Sequence, residues 1–108
     1  MNSLSEKEHN ALAEIKEKIA GRYNLHSIKL FGSKARGDAD QESDIDIIVV
    51  VDHLTWSIEK DIYEICFYTG LHYDVLISPI VFSQEEISSK LTKATTLYKA
   101  IEKEGIVL

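Results

Sequence analysis

Residues 28–51 read Ile-Lys-Leu-Phe-Gly-Ser-Lys-Ala-Arg-Gly-Asp-Ala-Asp-Gln-Glu-Ser-Asp-Ile-Asp-Ile-Ile-Val-Val-Val. The end of this stretch, Asp44 to Val51, is β-branched almost throughout, the composition of a central strand covered on both faces. At the other end, His26 to Phe31 alternates apolar with polar and predicts a shorter strand. Between them, Gly32 to Ser43 is a polar connection with room for one helical turn.

Working outward, Ser5 and Glu8 have the spacing of a capping box. Leu12, Ile15 and Ile19 then recur at helical intervals, which predicts a helix from Ser5 to Ala20 stopped by Gly21. Downstream, Thr55 to Tyr68 reads as a second helix with Ile58, Ile62, Ile65 and Cys66 on one side and Gly70 as its end. Leu71 to Ile77 reads as a third strand, broken by Pro79. A second capping box, Ser83 with Glu86, opens a helix expected to run to Lys103. The expected architecture is a small α/β domain, a three-stranded mixed sheet flanked by helices.

At 108 residues the chain is expected to be one domain, residues 1–108. Its 18 acidic against 12 basic side chains leave a net charge of −6, the wrong sign for non-specific nucleic-acid binding. One cysteine, Cys66, allows no internal disulfide and suits a reducing compartment. No basic stretch leading into an apolar one opens the chain, and the longest aliphatic run is too short to span a membrane, so a cytoplasmic protein is expected.

The chemistry concentrates in 32–46. Asp44 and Asp46, two apart on a strand, point to the same face. Two carboxylates that close repel each other unless a cation sits between them, and oxygen-only ligands suit Mg²⁺ or Mn²⁺. Gly32-Ser33, directly after the first strand, offers backbone N–H groups and a hydroxyl to a phosphate. Arg36 either clamps a phosphate oxygen or pairs with Asp38 or Asp40. A P-loop is excluded, because Asp38-Ala39 stands after Gly37 where Lys-Ser/Thr is required. An aspartyl-phosphate phosphatase is disfavoured as well. Its aspartates follow the hydrophobic strand, whereas Asp44 and Asp46 precede the run Ile47 to Val51.

Gly32-Ser33, ten residues, then Asp44-Ile45-Asp46 resembles the signature of the DNA polymerase β-like nucleotidyltransferase superfamily. Gly-Ser-Lys-Ala-Arg-Gly-Asp-Ala with Ser-Asp-Ile-Asp-Ile is most similar to its minimal, MntA-like members. The resemblance implies a nucleotidyltransferase fold and a third acid on a neighbouring strand, a place that Asp74 matches. It further implies that Asp44, Asp46 and Asp74 hold two Mg²⁺ ions and are the catalytic residues, while Gly32, Ser33 and Arg36 bind the nucleotide. The implied reaction moves AMP from ATP to a hydroxyl. The implied partner is a small helical HEPN ribonuclease toxin, neutralised when a tyrosine receives AMP, so that the chain is its antitoxin. Two alternatives stay open: a non-catalytic module that neutralises a partner by contact, and a small-molecule transferase of the aminoglycoside-modifying type.

The remaining side chains have plainer readings. Lys34 is expected in solvent, and Asp38, Asp40 and Glu42 form a hydrated loop face. An isolated Asp74 in an apolar strand needs a partner, a metal or else Lys29 or Arg36. His9, His26, His53 and His72 show no metal-ligand spacing, and Cys66 reads as a small core residue. Trp56, Tyr63, Phe67 and Tyr68 are expected to pack inward, as is the stripe Ile87, Leu91, Ala94, Tyr98 and Ile101.

Overall fold

A computed structural model describes residues 4–37 and 44–108. Helix α1 (Glu6–Arg22) starts at the expected capping box: Ser5 Oγ accepts from the Glu8 N–H, and Glu8 Oε1 accepts from the Ser5 N–H at 2.8 Å. Gly21 does not stop it, and the helix runs on to Arg22, with Tyr23 extended as its C-cap. Strand β1 (Leu25–Phe31) leads into a four-residue helical turn, α2 (Ser33–Arg36), and β2 (Ile45–Val51) follows. The expected hydrated face of Asp38, Asp40 and Glu42 lies outside the described residues.

Helix α3 (Trp56–Tyr73) is longer than the sequence suggests, because Gly70 sits inside it. A Cβ at Gly70 would stand 2.7 Å from the Val75 carbonyl oxygen, so this glycine lets the returning chain cross the helix closely. Tyr73 Oη donates to Glu14 Oε1 at 3.1 Å and ties the final turn to α1. The strand expected at Leu71 to Ile77 is therefore displaced: β3 is Ile77–Ser83 and runs through Pro79. Proline is tolerated there because β3 lies at the edge of the sheet.

The second capping box is present at Ser83 and Glu86, but the single long helix after it is not. Ser89 and Thr95 turn extended and accept from the N–H groups of Thr92 and Tyr98, each opening a new helix. The result is α4 (Gln84–Ser88), α5 (Lys90–Lys93) and α6 (Thr96–Glu104). The stripe thereby breaks up, leaving Ile101 buried and Leu91 83% exposed. A two-residue strand, β4 (Ile106–Val107), completes a four-stranded mixed sheet in the order β3-β2-β1-β4, one strand more than expected.

β2 runs antiparallel to β1 and parallel to β3, and it is buried on both faces. Ile45, Ile47, Val49 and Val51 join Ile28, Leu30, Ile15, Ile19, Ile62 and Ile65 in the main core beneath α1 and α3. Ile48 and Val50 face the other way, into a smaller cluster with Ile101, Phe31 and Ile80. Asp46 shares the parity of Ile48 and Val50, so it belongs to this second, less covered face. Among the described residues, no helix is long and apolar enough to cross a membrane.

Candidate active site

The β1–α2 corner and the start of β2 meet at two residues. Asp46 pairs with Phe31 across the sheet, which brings its carboxylate against the next residue of that strand's exit, Gly32. Gly32 takes φ +75°, a conformation side chains rarely adopt, and a Cβ there would lie 2.6 Å from Asp46 Oδ2. The glycine thus serves two requirements at once, the turn and the space its neighbour's carboxylate fills.

Around this contact the structure gathers most of the residues expected from sequence. Asp44 stands just ahead of β2, exposed, and Ser78 Oγ approaches its Oδ2 at 3.5 Å. Asp46 is half-buried. Burial raises its carboxyl above the ordinary aspartate range, the Asp44 charge raises it further, and only Arg36 opposes them. Ser33 is half-buried as the first residue of α2, and Arg36 is exposed at its last. Arg36 Nη1 reaches Glu104 Oε2 at 3.2 Å, an ion pair between α2 and the end of α6.

Lys34 corrects the expectation of a solvated side chain. Its side chain is 2% exposed, and its ammonium lies 2.9 Å from Glu8 Oε2. Glu8 therefore caps α1 with one oxygen and holds α2 with the other. Burial pushes the Glu8 carboxyl up, but the Ser5 N–H, the Lys34 ammonium and the Ser5 hydroxyl together outweigh it and hold the group below its usual range. The capping box announces Glu8 in the sequence; its second partner is visible only once α2 folds back against α1.

Asp74 is the expected site residue that the structure does not bring in. It caps α3 in the left-handed region (φ 57°, ψ 47°) instead of lying on a strand, and its side chain is fully exposed. Its neighbour is Lys7 Nζ at 4.0 Å, neither Lys29 nor Arg36. The strand positions beside Asp44 and Asp46 belong to Leu76, whose carbonyl accepts from the Ile45 N–H, and to Ser78. Among the described residues, no three His, Cys, Asp or Glu side chains are grouped to hold a metal ion.

Two carboxylates are still a sufficient protein contribution for Mg²⁺, which commonly takes one or two and fills its octahedron with water and substrate phosphate.

The two remaining expectations divide. Cys66 is buried, its thiol pushed up to about 12 by desolvation, as a core residue should be. Trp56, Tyr63, Phe67 and Tyr68 do not pack inward: Trp56, Phe67 and Tyr68 are each at least 60% exposed, and Tyr63 is 37% exposed with its hydroxyl donating to Glu59.

Comparison with known proteins identifies the family. Residues 12–108 match the model of the nucleotidyltransferase domain family. "Putative protein adenylyltransferase MJ0141" of Methanocaldococcus jannaschii is 39% identical over 76% of this chain and 77% of its own length. A second such protein of that organism, MJ0604, is 38% identical over 87% of this chain and 86% of its own. Among solved structures, a toxin-antitoxin with AMP-PNP superposes with a TM-score of 0.61 at 21% identity, covering 95% of this chain and 72% of that one. A mutant of the toxin-antitoxin MntA-HpeT gives 0.58 at 20% identity, covering 91% and 69%. These two share the fold. With the family model spanning nearly the whole chain and the relatives above one-third identity, this chain belongs to the nucleotidyltransferase domain family.

Proposed function

We propose that this chain transfers AMP from ATP to a hydroxyl of a partner protein, a tyrosine of a helical HEPN ribonuclease toxin, and so acts as that toxin's antitoxin. The observation that supports the reading is the contact of Gly32 with Asp46, a glycine corner against a strand carboxylate with Asp44 two residues before it. Asp44 and Asp46 hold Mg²⁺ in this reading, with Gly32 and Ser33 receiving the phosphates and Arg36 exchanging Glu104 for a phosphate oxygen. The cation, when bound, neutralises the phosphates and the developing charge at the α-phosphorus. Everything else falls to the chain, which holds and orients the triphosphate for attack. The names of the relatives, the protein adenylyltransferases and the toxin-antitoxin complexes, support the acceptor and partner classes. Asp74 is left out, since its side chain is in solvent beside Lys7.

A second reading, neutralisation by contact alone, is favoured by the exposed aromatic face of α3. Exposed large apolar side chains such as Phe67, Tyr68 and Leu71, close together in its last turns, are of the kind found at protein interaction surfaces. One experiment separates the two. The chain is incubated with Mg²⁺, ATP and a small helical HEPN toxin protein, and that protein is weighed for one added AMP. Transfer that disappears in the Asp44→Asn/Asp46→Asn protein, together with neutralisation, supports the transferase. Neutralisation that survives the double substitution with no AMP added assigns the chain to contact.

A further inference from the structure

We infer that Glu8 is a positioning residue for the nucleotide: its buried ion pair with Lys34 fixes the pose of α2, and with it the Gly32–Ser33 corner that receives the phosphates. The inference rests on the nucleotidyltransferase reading above. It adds to that reading a residue of the first helix, 24 positions before Gly32 in the sequence.

Helix α2 cannot set its own position. It is a single turn of four residues, no side chain of Gly32 caps it, and helices so short are marginal by themselves. Its pose depends on what its side chains are attached to. Ala35 enters the main core, an apolar contact without direction. Lys34 and Arg36 are each drawn to a carboxylate on another helix, Glu8 of α1 at 2.9 Å and Glu104 of α6 at 3.2 Å. The two pairs differ in burial. Arg36 and Glu104 are partly exposed, so their pair is weak and exchangeable, as the release of Arg36 to a phosphate requires. Glu8 and Lys34 are both buried, and their pair stays when Arg36 lets go.

The buried pair is oriented in advance. One Glu8 oxygen accepts from the Ser5 N–H at 2.8 Å, which restrains the carboxylate and leaves the other oxygen for Lys34. The helix that carries it is firmly seated, with Ala11, Leu12, Ile15 and Ile19 buried and Glu14 bonded to Tyr73 of α3. A directional contact on a rigid element places its partner more closely than an apolar one. For stability alone, apolar side chains of similar volume serve as well as a buried ion pair. What the pair adds here is a defined place for Ser33, the neighbour of Lys34.

Calorimetry of Mg²⁺-ATP and of Mn²⁺ alone, beside thermal melts, is carried out on the full chain at a temperature where each protein is folded. The variants are Ser5→Ala, Glu8→Gln and the double Glu8→Leu/Lys34→Met. Mn²⁺ alone reads the carboxylates, and ATP reads the phosphate corner as well. Ser5→Ala removes the cap hydroxyl but keeps the Ser5 N–H and the ion pair, so it should lower the melting temperature and leave ATP affinity unchanged. Glu8→Gln keeps a cap acceptor and loses the ion pair. It should weaken ATP by about tenfold or more, the scale of a small misplacement in a binding site, with Mn²⁺ binding unchanged. The double variant should regain much of the melting temperature and still bind ATP as weakly as Glu8→Gln, a split between stability and affinity that a purely structural pair does not produce. Wild-type ATP affinity in a folded Glu8→Gln protein, or affinity that returns with stability in the double, overturns the inference while the phosphate site stands. A parallel loss of Mn²⁺ binding overturns it too, since the disturbance is then general. Should Glu8→Gln not fold, the double variant decides alone. Failure of the wild type to bind Mg²⁺-ATP removes the transferase reading and this inference with it.

Discussion

Gly32 and Asp46 occupy each other's space: the carboxylate oxygen of one lies where the other's side chain would begin, 2.6 Å from a would-be Cβ. The two residues are 14 apart in the sequence yet form a single element. The turn that exposes backbone N–H groups and the strand residue that carries the charge cannot be altered separately.

Gly32→Ala tests this relationship. Alanine at φ +75° costs about 1–2 kcal/mol in backbone strain, and its methyl group must displace the Asp46 carboxylate. The expected result is a fold that persists with a lowered melting temperature and a Mg²⁺-ATP affinity reduced by about tenfold or more. Calorimetry and a thermal melt check both parts.

Asp46→Asn separates stability from function. Because the Asp46 carboxyl is raised in the folded chain by burial, by Asp44 and against Arg36, the folded state holds its proton more tightly than the unfolded one. Without cation, stability therefore falls as pH rises from the ordinary aspartate range through the folded value, and the deficit persists at neutral pH. Asp46→Asn should raise the metal-free melting temperature at pH 7 by a few degrees while abolishing AMP transfer. Mg²⁺ should stabilise the wild type and leave the variant unchanged. Melts between pH 4 and 8, with and without Mg²⁺, read the slope.

The Glu8–Lys34 pair behaves in the opposite sense. Its carboxyl is held low, so its contribution is present above the ordinary glutamate range and is lost as pH falls through the lower folded value. Removing one partner, as in Lys34→Met, strands a buried charge and should cost about 3–5 kcal/mol. Replacing both, Glu8→Leu with Lys34→Met, should recover much of that loss, short of the capping contribution of Glu8. Urea denaturation of the two singles and the double checks the coupling.

Asp74→Asn is expected to leave AMP transfer within about twofold and stability within about 0.5 kcal/mol, the ordinary range for an exposed position. A loss of a hundredfold or more, at unchanged stability, would restore the three-acid arrangement that the family resemblance implies.

Substituting Trp56, Phe67 and Leu71 together by serine should not lower stability appreciably, because all three are exposed. It should weaken capture of the helical partner by about a hundredfold and leave Mg²⁺-ATP binding intact. Partner affinity by surface plasmon resonance, beside ATP calorimetry, makes the comparison.

What the sequence by itself determined is local in origin. The central strand 45–51 declares itself through β-branched side chains, the α1 and α4 starts through capping boxes, and the carboxylate pair through its two-residue spacing. Each of these depends on residues a few positions apart, whose geometry is set by the backbone alone.

Tertiary structure decided where competing local signals meet distant neighbours. Residues 71–77 alternate like a strand, but the Tyr73–Glu14 hydrogen bond and the close crossing at Gly70 extend the helix through them and leave Asp74 at its tip. Lys34 looks like any surface lysine until α2 folds under α1 and delivers it to Glu8. In each case burial and pairing depend on atoms dozens of residues away, and periodicity along the chain carries no record of which distant group will arrive.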